Sequence, residues 1–348
     1  MNVEKLWAEH EAGLEDFWGR RENGPRFVHE FTLFGRPIRV TSNDEQLLTA
    51  VAWARPQYSL APPTHHDPFT VHLVVRATPV DPGPPPQNLM AHNQYTGHDQ
   101  WLSIQMGGWG HCHINLAQGE AMAVLAPALA CQPELVCRGL LNTLFTNLLI
   151  QANFAMLHCT GLLRGDAAVL LMAPHNSGKS TTALRLVLAG YHLISDSQIY
   201  VSPDSEAIEL LGFPVGRTKL RADMVPHFPQ LHPFLTPEPV REEMKYTLDL
   251  RRFNPELVCE TAVRPRTIHF CLLHRNGTPH TQLTPAQPDE LLTTIMDNNS
   301  IYYDRPAVWL PSLRLIERLV HQAHGYHLSI GTDSEAIVAA INERLFPS

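Results

Sequence analysis

Residues 167–190 read Ala-Ala-Val-Leu-Leu-Met172, then Ala-Pro-His-Asn-Ser-Gly-Lys-Ser180, then Thr-Thr-Ala-Leu-Arg-Leu-Val-Leu-Ala189 and Gly190. The six apolar residues ending at Met172 predict a buried strand. Residues 181–189 predict a helix, and Gly190 stands where a glycine ends one. A strand that passes into a helix through a loop ending Gly-Lys-Ser is the context that the phosphate-binding pattern GxxxxGK[ST] requires. Backbone N–H groups of such a loop curl around phosphate oxygens, and the helix adds unpaired donors and the positive end of its dipole. Gly178 permits close approach of the backbone, Lys179 brings a point charge toward the outer phosphates, and Ser180 offers a hydroxyl to Mg²⁺. Pro174, His175, Asn176, Ser177, Gly178, Lys179, Ser180 and Thr181 are therefore the residues expected to hold a nucleotide. Ala173 departs from the pattern, because it takes the first glycine position and its Cβ restricts positive φ.

The flanking sequence extends this unit. Leu157-His-Cys-Thr-Gly-Leu-Leu-Arg164 predicts a strand that reaches the P-loop strand through the tight turn Gly165-Asp166. After Gly190, Tyr191 to Ile194 predict a short strand with Ser195-Asp196 at its end. Seventeen residues separate Lys179 from Asp196, enough for one helix and one strand. That spacing puts Asp196 on a strand next to the P-loop strand, where a carboxylate can hold Mg²⁺ or take a proton from an attacking hydroxyl. The competing reading is a turn aspartate, since Ser-Asp-Ser is good turn chemistry.

His158 at the start of a strand, the hairpin into Ala173–Ser180, the helix ending at Gly190 and the short strand carrying Asp196 form an ordered set. In this set the chain resembles the HPr kinase/phosphorylase-like group, whose P-loop fold is similar to that of phosphoenolpyruvate carboxykinase. The resemblance covers residues 157–202 best. It implies transfer of a phosphoryl group to a hydroxyl, usually of Ser, with ATP or another nucleoside triphosphate and Mg²⁺. It implies catalytic roles for Asp196, Lys179 and His158, with Ser180 and Asp196 as metal ligands. His158 would tune the proton affinity of the acid; its alternative is a core histidine. The group's acidic pair falls on Asp196 and Ser197, so only one acid is present here, with Gln198 or a distant acid left for the second role. Arg217, Lys219, Lys245 and Arg275 are candidate cations for the transferred group, and each is equally an ordinary surface cation.

The rest of the chain places this unit in an α/β domain at 133–348, a P-loop kinase-like domain, after a smaller β-rich domain at 1–132. Residues 4–22 predict a helix. Strands are expected at 26–34 and 38–40 around a turn at Gly35-Arg36-Pro37, and at 69–75, 101–106, 111–116 and 122–129. Ser42 and Glu45 resemble a capping box before a helix at 46–54. Asp81-Pro-Gly-Pro-Pro-Pro86 reads as a loop, since proline lacks a backbone donor. A long core helix is expected over 134–156. Beyond the P-loop, a strand at 267–273, helices at 285–297 and 313–324, a strand at 326–330 and a final helix capped by Ser334 fill out the sheet. The step Asp297-Asn-Asn-Ser300 reads as a loop near the site.

The net charge of −8 argues against nucleic acid as a partner, because a uniformly acidic surface repels phosphate backbones. No secretory h-region and no run of about 18 residues free of polar groups is present, which points to a cytoplasmic protein without a membrane partner. The six cysteines form no CxxC pair and read as reduced thiols. The 20 histidines lack metal-site spacing; His111 and His113 share a strand face, but scattered hydrogen-bonded histidines are the plainer account. The expected partner is a hydroxyl-bearing substrate, whether peptide, protein or small molecule, and family members often form homo-oligomers. A nucleotide-binding module without catalysis is the second reading, and carboxykinase chemistry on an oxo acid the third.

Overall fold

The structure, a computed structural model, describes residues 27–77, 80–174, 177–240, 243–298 and 306–347. The helix expected over 4–22, together with Arg26, His175, Asn176, Asn299 and Ser300, lies outside the described residues. The fold is mixed α/β with several sheets. The chain divides into two compact units: Met1–Thr32, Arg36–Arg55 and Thr64–Phe145 form the first; Leu33–Gly35, Pro56–Pro63 and Thr146–Ser348 form the second. The division expected after residue 132 falls within the segment Thr64–Phe145 of the first unit.

The first unit is built on a seven-stranded sheet of β1 (Phe27–Leu33), β2 (Arg36–Ser42), β3 (Phe69–Val75), β4 (Gln94–His98), β5 (Trp101–Gln105), β6 (Gly110–Asn115) and β7 (Glu120–Leu125), ordered β1-β2-β3-β7-β6-β5-β4. The first turn is made by Phe34 and Gly35, both at positive φ, and Arg36-Pro37 begin β2 instead of turning the chain. Helix α1 (Glu45–Ala54) buries Leu47, Ala50, Val51 and Ala54, one stripe at helical spacing. Its N-cap is Asp44, whose carboxylate accepts from the Gln46 N–H at 2.8 Å, and not Ser42, whose hydroxyl accepts from the Asp44 N–H at 3.0 Å. The strand expected over 122–129 stops at Leu125, and Pro127 starts a short helical turn.

The long helix expected over 134–156 is interrupted and shorter. Pro133–Val136 is α-helical, Cys137–Leu141 is a π-helical turn, and α2 (Asn142–Gln151) follows. Asn153 at φ 67° takes the chain out of the helix, and Ala155–Leu157 form strand β8. A short apolar run does not by itself distinguish strand from helix, and here the Asn in the left-handed region decides.

The second unit centres on a six-stranded sheet. It contains β9 (Thr160–Arg164), β10 (Ala167–Met172), β11 (His192–Ser195), β17 (Thr267–Arg275), β18 (Gln282–Pro285) and β19 (Ala323–Ile330), ordered β11-β9-β10-β17-β19-β18. Strands β12 (Gln198–Val201) and β13 (Leu210–Phe213) join β8 in a small sheet, and β14 (Arg217–Arg221), β15 (Leu235–Val240) and β16 (Glu243–Asp249) form another. Every residue of β10 is buried, as a strand covered on both faces must be. Helices α3 (Lys179–Leu188) and α6 (Ser334–Leu345) bring Leu184, Val187, Ile337 and Ile341 into the core around Val169, Leu171 and Cys271. The N-cap of α6 is Asp333, which accepts from the N–H groups of Glu335 and Ala336, and not Ser334. Helices α4 (Pro288–Asn298) and α5 (Pro306–Gln322) run over 288–298 and 306–322, where 285–297 and 313–324 were expected; Asp297 and Asn298 end α4. No described helix is long and apolar enough to cross a membrane.

Strand direction decides what gathers at one edge. β10, β17 and β19 are parallel, so Met172, Arg275 and Ile330 end on the same side. β9 is antiparallel to β10, with Thr160 opposite Leu171, so β9 starts at that side. β11 is antiparallel to β9 and finishes there at Ser195. Leu171→Ala, which removes side-chain volume from the middle of this core, is expected to cost ~2–5 kcal/mol of unfolding free energy in urea titration.

Candidate functional site

The loop after β10 and the first turn of α3 lie at this sheet edge. Gly178 is the N-cap of α3 at φ 106°, a left-handed conformation that a side chain would strain. A Cβ there would lie 3.4 Å from Arg275 Nη2 and from Ile330 Cδ1. The first helical bond runs from the Thr182 N–H to the Gly178 carbonyl at 2.9 Å, so the earlier amides of α3 have no partner within the helix. Lys179 Nζ curls back to donate to the carbonyls of Ala173 at 2.6 Å and Pro174 at 3.3 Å. Ser177 Oγ donates to the Pro174 carbonyl at 2.5 Å, and Arg275 Nε donates to the Ser177 carbonyl at 3.2 Å. Ser180 and Thr181 are half-buried in the first turn. His175 and Asn176, expected to contribute to this loop, lie outside the described residues.

Asp196 follows β11 directly. Its strand is not next to β10 as the spacing implied: β9 lies between β11 and β10. The carboxylate nonetheless meets α3. The register of β11 against β9 shifts between Leu193 and Ser195, just before Asp196, and such breaks in a ladder re-aim the residues that follow. Bare Gly212 lets the neighbouring chain approach, since a Cβ there would sit 2.2 Å from the Ile194 carbonyl oxygen. Asp196 Oδ1 accepts from Thr160 Oγ1 at 2.7 Å, and Oδ2 accepts a short hydrogen bond from Thr218 Oγ1. The Ser180 hydroxyl and the Lys219 N–H are close enough to the same carboxylate to favour its charged form. Sequence reasoning did not find Thr160 and Thr218. Their signal is slight: each is a buried hydroxyl residue on a strand, and Thr218 shares the inward side of β14 with Leu220.

The electrostatics follow from burial. Burial pushes the Asp196 carboxyl above its ordinary range, and the bonds from Thr218, Thr160, Ser180 and the Lys219 amide oppose that shift. Burial lowers the Lys179 ammonium, opposed by the charge of Asp196 and by Cys159. The Cys159 thiol, fully buried, is pushed up to about 12 and stays protonated, with Lys179 a smaller opposing influence. Lys179, Ser180 and Asp196 are thus one electrostatic group.

The other expected residues fall elsewhere or at its margin. His158 is half-buried in the break between β8 and β9, two positions before Thr160. The Ser197 N–H donates to Ser195 Oγ at 3.3 Å. Gln198, expected as a stand-in for a second acid, accepts from the Tyr200 hydroxyl at 3.0 Å. Of the four candidate cations, Arg275 touches the loop. Lys219 reaches Asp196 through its backbone, while its ammonium pairs with Glu238 Oε1 at 3.1 Å. Arg217 and Lys245 lie opposite Asp249 and Arg221 in the β14–β16 pairing. Among the described residues no three His, Cys, Asp or Glu side chains gather in metal-binding geometry, and His113 Nδ1 is bonded to Ser103 Oγ at 2.7 Å.

A carboxyl raised by burial binds its proton more tightly folded than unfolded, so the stability held back at neutral pH returns as pH falls through the folded value. Wild type is therefore expected to gain melting temperature relative to Asp196→Asn, both nucleotide-free, as the pH is lowered from 7.5 and the carboxyl takes up its proton. Differential scanning fluorimetry across pH checks this, and a difference between the two proteins that does not change with pH contradicts it.

No protein-family profile matches the sequence, and no curated protein matches it. Among solved structures, the chain is similar to the HPr(Ser) kinase/phosphatase from Coxiella burnetii over 55% of this chain and 96% of that one, at 11% identity and a TM-score of 0.28. A likeness that slight assigns neither fold nor function.

Proposed function

We propose that this chain is a phosphotransferase that moves a phosphoryl group from ATP, or another nucleoside triphosphate, to a hydroxyl of a peptide, protein or small molecule. One observation carries the reading: Lys179, Ser180 and Asp196, from two different elements, meet where α3 begins. The wider reading is a kinase-like P-loop domain of the HPr-kinase and phosphoenolpyruvate-carboxykinase type over 133–348, behind a β-rich domain at 1–132.

The donor set fits Mg²⁺. Asp196, Ser180, Thr160 and Thr218 place only oxygen atoms together, the ligand chemistry of a hard cation. Ser180 and Asp196 would hold the ion, which when bound neutralises charge on the phosphates. The first-turn amides of α3, which have no partner within the helix, and the Lys179 ammonium receive the phosphate oxygens. Arg275, held against the loop through Ser177, stands ready to add a planar cation. With a single acid present, Asp196 serves as ligand or as base and not both at once: where Ser180 alone holds the ion, Asp196 orients the acceptor hydroxyl and accepts its proton. Phosphoryl transfer asks mainly for positioning and charge neutralisation, which this sparse set can supply.

A nucleotide-binding module without catalysis is the second reading. It is favoured by the threonine hydroxyls that already occupy both oxygens of the one carboxylate, Thr160 on Oδ1 and Thr218 on Oδ2. Carboxykinase chemistry has no such observation behind it.

MgATP at 100 times its dissociation constant adds ~2.7 kcal/mol, about 5–10 °C in melting temperature for a unit of this size. Lys179→Ala is expected to abolish that shift, and a shift that survives the substitution removes the loop from the account. Asp196→Asn is expected to keep most nucleotide binding and to slow ATP turnover by ~10²–10⁴-fold. Wild type that binds but never turns over nucleotide with any hydroxyl acceptor decides for the second reading.

A further inference from the structure

Among the described residues, the seven-stranded sheet of the first unit ends in an edge that no other strand pairs. β4 is its last strand, and Gln94, Tyr95, Thr96, Gly97 and His98 are all exposed. β4 pairs with β5 in the register Gln94↔Gln105, Tyr95↔Ile104, Thr96↔Ser103, Gly97↔Leu102 and His98↔Trp101. Only Asp99 and Gln100 separate the two strands, so His98–Trp101 closes a two-residue hairpin as a hydrogen-bonded pair. Alternation makes Thr96–Ser103 and Gln94–Gln105 hydrogen-bonded pairs as well. The N–H and C=O groups of Tyr95 and Gly97 therefore point away from β5, into the open edge.

Proteins protect such edges with proline, charge or a covering segment, and three other edge strands among the described residues are protected in these ways. β15 carries Pro237. On β11, the Leu193 carbonyl accepts from the Cys259 N–H at 2.8 Å. On β13, Leu210 exchanges two backbone hydrogen bonds with Val263, at 2.8 and 2.9 Å. β4, reading Gln-Tyr-Thr-Gly-His, has no proline and no Lys, Arg, Asp or Glu. Its tyrosine is 48% exposed.

This strand is complementary to itself. In an antiparallel pairing with a second copy about a two-fold axis at Thr96, Tyr95 of one copy faces Gly97 of the other. These are the residues whose backbone groups point outward, so the two Tyr–Gly pairs form four backbone hydrogen bonds. Each Tyr95 ring then covers a bare glycine, a favourable arrangement for a strand glycine at an edge. Thr96 faces Thr96, a pair that favours strand association, and Gln94 faces His98 with no like charges opposed. Directly opposite residues share a face, so Tyr95 and Gly97 lie on the side of buried Ile104 and Leu102. The pairing would continue that apolar face across the axis.

We propose that β4 is the edge through which two copies of this chain associate, antiparallel about Thr96, so that two seven-stranded sheets become one. The interface is isologous, as a closed two-fold dimer requires.

In this register the two Thr96 residues form a non-hydrogen-bonded pair with Cα atoms ~4.5 Å apart, within disulfide range. The two Gln94 Cα atoms are roughly 13 Å apart along the strands. Thr96→Cys in the full chain is expected to form a 96–96 interchain disulfide under mild oxidation, identified by mass spectrometry of the linked peptide, and Gln94→Cys to form none. Thr96→Lys, which opposes two ammonium groups on the axis at an exposed position, is expected to shift the mass measured by light scattering from dimer to monomer with an unchanged circular dichroism spectrum. No cross-link at 96, a cross-link of equal yield at 94, or a dimer indifferent to Thr96→Lys overturns the proposal.

Discussion

Asp196 accepts hydrogen bonds from Thr160 on β9 and from Thr218 on β14, with the Ser180 hydroxyl of α3 and the Lys219 amide close enough to favour its charge. Segments distant in sequence are tied together through that carboxylate. A buried carboxylate is costly unless it is hydrogen-bonded, and here each of its oxygens has a threonine donor. The same contacts hold Ser180 and Lys179 at the head of α3 in a defined relation to an acid. The candidate site is, in physical terms, the arrangement that keeps this charge in the fold.

Sheet topology makes the meeting possible. The parallel strands β10, β17 and β19 end on one side, and the antiparallel pair β9 and β11 delivers Thr160 and Asp196 to that side from the other direction. In open α/β sheets ligands bind outside the carboxyl ends of the strands. Arg275 reaches the loop for the same reason, because β17 runs three residues past the point where it leaves β10. The loop is held from within by Lys179 and Ser177 and from outside by Arg275.

Local features of this arrangement were legible in the sequence. The run Ala167–Met172, the glycine at 178 and the helix to Leu188 are set by periodicity and backbone chemistry within a few residues, and the structure has them in place. What depends on distant partners was not legible. The strand order that inserts β9 between β11 and β10, and the two threonines 58 residues apart that converge on Asp196, are products of topology. Caps slipped by one or two residues because Ser42 and Asp44, or Ser334 and Asp333, have nearly equal propensities, and geometry chose the carboxylates. The helix expected to reach 156 ends at Gln151 because Asn153 accepts a left-handed conformation.

The central claim is that the amides at the head of α3 grip the phosphates of a nucleotide beside Asp196. Amide hydrogen exchange with and without MgATP tests it at residue level. The account predicts slowed exchange in residues 177–182 and around 195–197, with the remainder of the chain little changed. No binding, or protection confined to other segments while 177–182 exchanges as before, would contradict it.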